Sequence, residues 1–280
     1  MQPGKSKPKP SIVTITPRVA NLDKQHVSIA VFVIATNNYL AFAEDLIRSA
    51  NVHIQKDVHL RFVLLTDDVE RAQQCITTSM NCEVVVRQIA PLGWPDATLM
   101  RFELMINNWD SVEHDLVAYM DADMKFVSKF GYSESSEPLA STVDIALVSH
   151  PGYFRRNFVY RFLLRTSLGP WEHRRSSSAF VPMRLRKTYV CGGMFWGRAE
   201  GVFDMIKQLA LSVRQDKENG VYARHNDESH LNHWFNVHQN RCSVLPPRWV
   251  FDPTYRHLKD LAPIVEAVRK PKDFRRVLSS

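Results

Sequence analysis

Two aspartates, Asp121 and Asp123, stand directly after an apolar run, Leu116 to Met120, in the stretch Asp115-Leu-Val-Ala-Tyr-Met-Asp-Ala-Asp-Met-Lys-Phe126. Side chains two apart on an extended backbone point the same way, so both carboxylates would face one spot at the end of a buried strand. Two like charges there are costly unless a cation lies between them. Hard divalent ions take carboxylate oxygens and leave positions for a ligand's phosphates; a solvated turn is the competing reading. A second acidic pair, Asp227-Glu228, lies within His225-Asn-Asp-Glu-Ser-His-Leu-Asn-His233. Helix dipoles favour carboxylates at a helix start, which Asp227 or Asn226 could also cap. Beside a metal-phosphate seat, a carboxylate there could instead stabilise an oxocarbenium-like centre or act as nucleophile. His230 and His233 lack the His-Glu-x-x-His spacing, so a zinc reading is weak. Cys191-Gly192-Gly193 removes side-chain bulk where a ligand could press against backbone. A glycine pair that accommodates a neighbouring helix explains it equally well.

The elements that would position these residues follow from hydrophobic patterning. Residues 28–36 read as a strand buried on both faces, the mark of a parallel sheet. Phe42, Leu46, Ile47 and Ala50 recur at helical spacing, and strands follow at 60–66 and 83–89. Residues 98–108 read as a helix with Leu99, Phe102 and Ile106 on one side, leading into the strand before Asp121. This β-α-β-β-α-β order predicts an α/β fold with helices on both faces. Further strands are expected at 144–149, 188–197 and 243–245, and helices from Ala199 to about Lys217 and from Asp227 through Phe235. Residues 154–187 lose periodicity and read as a long, mobile loop or lid. The carboxyl end reads as irregular and basic. In such sheets ligands bind beyond the carboxyl ends of strands, here Thr36-Asn-Asn-Tyr39, Asp121-Ala-Asp123 and His150-Pro-Gly152.

Composition bounds the class. With 280 residues and 45% hydrophobic content the chain can bury a sizeable core. We expect a Pro- and Lys-rich flexible lead-in over residues 1–25 and one catalytic-size domain over 26–280. The net charge of +7 gathers at Lys5, Lys7 and Lys9 and at Arg269, Lys270, Lys272, Arg275 and Arg276. Such clusters are usually solvated, and they could meet phosphates. No helix-turn-helix, zinc-finger or RNA-binding-sheet signature accompanies them, so no nucleic-acid partner is expected. No Gly-x-Gly-x-x-Gly follows the first strand and no Walker A motif occurs. The four cysteines, Cys75, Cys82, Cys191 and Cys242, fit neither a metal knuckle nor a disulfide framework and read as buried thiols. The longest apolar run, residues 29–35, is far short of a membrane span, and no signal-peptide core or Asn-x-Ser/Thr acceptor occurs. A soluble, cytoplasmic chain is expected as written.

In this order, Ala35-Thr36-x-x-Tyr39, Trp94-Pro95-x-x-Thr98-Leu-Met-Arg101, Met120-Asp-Ala-Asp-Met124, His150-Pro-Gly-Tyr-Phe154, Ser178-Ala-Phe-Val-Pro182, Gly192-Gly193 and Asp227-Glu-Ser-His-Leu-Asn232 form a strong signature. Over about residues 29–276 the chain resembles the family-6 retaining glycosyltransferases, the group of the blood-group A/B enzymes and the α-1,3-galactosyltransferases. The resemblance implies a GT-A-type nucleotide-sugar transferase fold with a Rossmann-like mixed sheet. It implies Mn²⁺-dependent transfer of GalNAc or Gal from UDP-GalNAc or UDP-galactose to the 3-hydroxyl of a β-galactoside oligosaccharide or glycolipid acceptor, in an α-1,3 linkage. By position, Ile34, Ala35, Thr36 and Tyr39 would hold the uridine. Asp121, Ala122 and Asp123 would meet the metal and ribose-diphosphate, with Asp121 and Asp123 the metal ligands. Arg101 would lie near the donor sugar, Cys191, Gly192 and Gly193 would line its pocket, and Asp227 would hold it. Glu228 would be the nucleophile or stabiliser, His150 and Asp252 would meet the acceptor, and Lys270 and Arg276 would close over the diphosphate.

The chain also departs from the family. Vertebrate members carry a membrane anchor and stem, so an anchor-less fragment of such a protein would belong to the Golgi lumen. Bacterial members generally replace both metal aspartates by asparagine, whereas Asp121 and Asp123 are kept. The usual Trp-His before the Asp-Glu pair is His225-Asn226, and an acidic segment is replaced by Arg184-Leu-Arg-Lys187. Gly193 leaves space for an N-acetyl group, which favours GalNAc slightly. The alternative is a catalytically idle sugar- or glycolipid-binding protein of the same fold.

Overall fold

The computed structural model describes residues 27–111, 114, 116–131, 144–154 and 158–270. The lead-in over residues 1–25 and the tail cations Lys272, Arg275 and Arg276 lie outside the described residues. In chain order the elements are β1 (Val27–Ile34), α1 (Leu40–His53), β2 (Val58–Thr66), α2 (Val69–Cys75), β3 (Cys82–Gln88), α3 (Asp96–Leu99), α4 (Arg101–Asn107) and β4 (Leu116–Met120). They continue as β5 (Met124–Phe126), β6 (Ile145–Ser149), α5 (Phe158–Arg165), β7 (Val190–Arg198), α6 (Ala199–Glu218), α7 (Asn226–Val237), β8 (Cys242–Leu245) and β9 (Val265–Ala267).

Seven strands form one sheet in the order β3-β2-β1-β4-β7-β6-β8. β3, β2, β1 and β4 run parallel, and β7 runs against both β4 and β6. The period-2 alternation of strand side chains sorts the core into two layers. Ile29, Val31 and Val33 of β1 join Leu46 and Ile47 of α1 on one face. Ala30, Phe32 and Ile34 face the other side, with Phe102 of α4, Ile206 and Leu209 of α6 and Leu231 and Trp234 of α7. Helices therefore cover both faces, as the patterning predicts.

Four expectations need correction. A helix, α2, does intervene between β2 and β3; it buries only Ala72 and is held by Asp68, whose side chain accepts the Arg71 N–H at 3.0 Å. So short an apolar face leaves almost no periodic signal. Residues 154–187 are not a structureless lid over their described part. They contain α5 and bury Trp171, Ala179 and Val181, and Asp216 of α6 accepts the Ser177 hydroxyl and, at 2.6 Å, the Ser178 N–H. The carboxyl end carries β9, which pairs antiparallel with β5. Among the cysteines, all free, only Cys82 is fully buried and Cys75 is exposed.

Candidate active site

The site grows from the parity of β4. Leu116, Ala118 and Met120 face the α1 layer, whereas Tyr119 faces α4 and α7, and Asp121 continues its direction. β4 ends at Met120, so Asp121 and Asp123 do not share a strand face as expected; residues 122 and 123 form a turn into β5. That turn still brings both carboxylates to one cavity wall. The Asp121 N–H donates to the Gly193 carbonyl at 2.8 Å, and its Oδ1 accepts the Tyr119 hydroxyl at 2.8 Å.

Arg101, the first residue of α4, is the buried hub, 4% exposed. Its Nη1 donates to the Gly192 carbonyl at 2.7 Å, its Nη2 lies 3.4 Å from Asp121, and its Nε lies 3.1 Å from Asp227 Oδ2 in an ion pair too bent to be a hydrogen bond. The guanidinium also sits over the Tyr119 ring, 4.4 Å from its centre. One cation thereby fastens β4, β7 and α7. Burial pushes the Asp227 carboxyl up to about 7 against the pull of Arg101. Burial likewise raises Asp121, with Arg101 opposing and Asp123 adding to the rise.

At α7 the expected side-chain cap is not made. His225 occupies the N-cap position without a side-chain cap bond, and Asn226 opens the helix at φ 44°, a left-handed value Asn tolerates better than most residues. Successive helical residues diverge by about 100°. Asp227 consequently turns inward to Arg101, 4% exposed, while Glu228 turns to β7, where its Oε2 accepts the Gly192 N–H at 2.8 Å. A Cβ on Gly192 would lie 3.2 Å from that of Glu228, and one on Gly193 would lie 2.7 Å from Met124 Cε and 3.1 Å from Asp121 Oδ2. The glycine pair lets α7 and Asp121 approach β7. The volume over Gly193 is taken by protein, so it offers no argument for an N-acetyl group.

A cavity of about 430 Å³ opens at the carboxyl edge of the sheet. Ile34, Thr36, Tyr39, Arg101, Asp121, Ala122, Asp123 and Lys270 line it. Lys270 Nζ lies 2.7 Å from Asp123 Oδ2 and 5.0 Å from the centre of the Tyr39 ring. Ala35 is fully buried beside this cavity, its N–H donating to Leu65 at 2.9 Å. Arg276 lies outside the described residues. Asn37, Trp94, Thr98 and Tyr119 also line the cavity and had no role assigned from sequence. Tyr119 was findable, because it lies two positions before Asp121 and so shares its side of the strand.

On the other flank stands His150, whose Nδ1 accepts the Gly152 N–H at 3.1 Å, leaving the proton of the neutral ring on Nε2. Burial lowers its pKa, partly offset by the nearby carboxylates of Glu228 and Asp252. Burial, then Glu228, pushes the Tyr189 hydroxyl well above its usual range. Of the candidate acceptor residues, His150 thus feels both Glu228 and Asp252.

Among the described residues no set of three or more His, Cys, Asp or Glu could hold a metal. Asp121 and Asp123 supply two hard oxygen donors, the donor set of an ion whose remaining ligands are water and phosphate. In that chemical sense the residues fit Mn²⁺, with the Lys270 ammonium competing for Asp123.

The chain matches glycosyltransferase family 6 over residues 18–278 and belongs to that family, whose fold is of GT-A type. It is 27% identical over 230 residues to globoside alpha-1,3-N-acetylgalactosaminyltransferase 1 of Gallus gallus, covering 81% of this chain and 62% of the relative. The Mus musculus protein of that name is 27% identical over 243 residues, covering 84% and 65%. Histo-blood group ABO system transferase 1 of Rattus norvegicus is 27% identical over 232 residues, covering 81% and 62%. The chain therefore spans less than two thirds of the length of these relatives. Among the described residues no helix is long and apolar enough to cross a membrane.

Proposed function

We propose that the chain is a retaining glycosyltransferase that moves N-acetylgalactosamine or galactose from a UDP-sugar to the 3-hydroxyl of a β-galactoside, forming an α-1,3 bond with Mn²⁺. The observation that carries the reading is a single cavity that joins Ile34, Thr36 and Tyr39 to the charged group Asp121, Asp123 and Lys270, with Glu228 held on the glycine partition beside it. In this reading the first three residues seat uridine. Asp121 and Asp123 hold Mn²⁺, which supplies charge neutralisation for the departing diphosphate. Lys270 exchanges Asp123 for a phosphate oxygen, which a charge-assisted hydrogen bond favours. Arg101 and Asp227 keep the Gly192 carbonyl and Asp121 in register. Glu228 stabilises positive charge at the sugar carbon from its β face. His150 donates its Nε2–H to an acceptor hydroxyl.

UDP release from UDP-GalNAc and UDP-galactose, with and without Mn²⁺ and lactose, tests the reading. UDP-GalNAc comes first because the globoside relatives are named for that sugar. Release is expected to require the metal and to rise with lactose; metal-independent turnover would remove Asp121 and Asp123 from the metal role. Glu228→Ala is expected to lower transfer on the order of 10²–10³-fold, the range for one charge-stabilising group, while UDP binding persists. Binding of UDP with no donor consumed under any of these conditions identifies the idle sugar-binding protein instead.

A further inference from the structure

A second cavity of about 430 Å³ lies beside His150, and His150 alone among its lining residues has a role in the proposed reaction. Tyr153, Trp171 and Tyr189 give it aromatic walls, and Arg165 and Lys187 give it two cations. Among the described residues no Asp or Glu lines it. Its frame is built. The buried Arg186 side chain donates from Nη1 to the Arg165 carbonyl at 3.1 Å and from Nε to the Val181 carbonyl at 2.8 Å. Trp171 Nε1 donates to the Leu164 carbonyl at 2.7 Å. The end of α5 and the residue before Lys187 are thereby fastened together, which holds the two cationic side chains on one wall. Both are exposed, and neither forms an ion pair with a described residue. His150 and Tyr189, which line this cavity, both feel the Glu228 carboxylate, so the cavity neighbours the carboxylate that the proposed function places at the reacting sugar.

We infer that this cavity receives the part of the acceptor beyond the accepting sugar, and that this part carries an anionic group, a carboxylate or a phosphate ester. The inference rests on the glycosyltransferase reading above. Aromatic faces pack against the apolar faces of sugar rings, while ammonium and guanidinium groups select carboxylate and phosphate oxygens. A neutral glycan would leave both cations idle. Glu228 repels the anion from the reacting end, so the charge fixes the acceptor's direction.

Steady-state kinetics at low ionic strength with lactose, lactobionate and lactose 1-phosphate test this, since all three keep the galactose 3-hydroxyl free. Two exposed ion pairs of ordinary strength predict a KM roughly 3- to 30-fold lower for the anionic acceptors than for lactose. Lys187→Glu and Arg165→Glu, checked for unchanged melting, are each expected to abolish that preference, as is added salt. A gain confined to one anion names the group and supports the inference. Equal KM values for all three acceptors, or a preference that survives both charge reversals, overturns it. If no donor is consumed with any acceptor, the transferase reading fails separately. Saturation-transfer NMR then decides: lactobionate bound better than lactose by the wild type but not by Lys187→Glu supports an anionic-saccharide site, and equal or absent binding rejects it.

Discussion

Arg101 is the residue on which the others depend, because one buried guanidinium answers the buried Asp227, the half-buried Asp121 and a carbonyl. Arg101→Met should cost about 3–5 kcal/mol in urea unfolding, since it leaves Asp227 buried without a counter-charge. Arg101→Lys should recover only part of that, because an ammonium cannot span three partners on different elements. A smaller loss with methionine than with lysine would show that the charge itself is dispensable. Gly193→Ala tests the partition. Its Cβ would meet the flexible end of Met124 and the less yielding carboxylate of Asp121, so overpacking of about 1–3 kcal/mol is expected. Adding Met124→Leu, which withdraws the crowding methyl without emptying the core, should recover part of the melting temperature but not UDP affinity; full recovery of both would separate Asp121 from the effect. At this scale the sequence was legible where chemistry is local. Asp121 with Asp123 and Asp227 with Glu228 announced themselves by spacing. The Lys270–Asp123 pair carried no local signal, since β5 and β9 bring together distant segments.

The segment 171–186 shows what an element needs when it lacks periodicity. It is held through polar contacts rather than an apolar stripe, which is why patterning reads it as a mobile lid. Buried Glu172 accepts bonds from the Arg174 side chain and N–H and from the Arg224 N–H at 2.7 Å. Burial alone would raise its pKa, but those bonds hold it down to about 2. His230, 2.7 Å from the Ser212 hydroxyl and 3.7 Å from Asp216, is pushed by burial down to about 4. As pH falls below 6.5, the unfolded chain takes up a proton that folded His230 refuses until about 4, so stability declines across that window. Below 4.5 the unfolded Glu172 protonates while the folded one resists until about 2, and the decline continues. Asp227, whose folded pKa is about 7, contributes a slope of the opposite sign over the same window, so the difference between two proteins is the readout. Between pH 6.5 and 4 the wild type should lose stability relative to His230→Gln by the equivalent of about 1–3 kcal/mol in melting temperature. Parallel profiles for the two proteins reject this account. The longer periodic elements were readable for the opposite reason: α6 places Val202, Met205, Ile206, Leu209 and Val213 on one stripe.

Across the whole molecule, the reversed direction of β7 decides where the parts meet. Because β7 runs against β4 and β6, its first residues lie at the edge where β1, β4 and β6 end. Sequence order predicts the strands but not this reversal, since strand pairing depends on contacts far apart in the chain. One cavity lies on the Asp121 side of Cys191–Gly193 and the other on the His150 side. Truncating Trp94, 74% exposed on the first cavity, is expected to raise the KM for donor roughly 10-fold or more, as loss of an aromatic stacking face does elsewhere, and to leave the preference among acceptors unchanged. A shift in acceptor preference would show that the two walls are coupled.

The two glycines between those cavities have a consequence for how such a molecule can diversify. Protein atoms already lie 2.7–3.2 Å from where an added Cβ would sit, so variation there requires Met124 or Glu228 to give way. The outer walls carry no such condition, because Trp94 and Lys187 face solvent. In a saturation library of this chain, tolerated substitutions at 192 and 193 are expected to be fewer than at those rims and confined to small side chains.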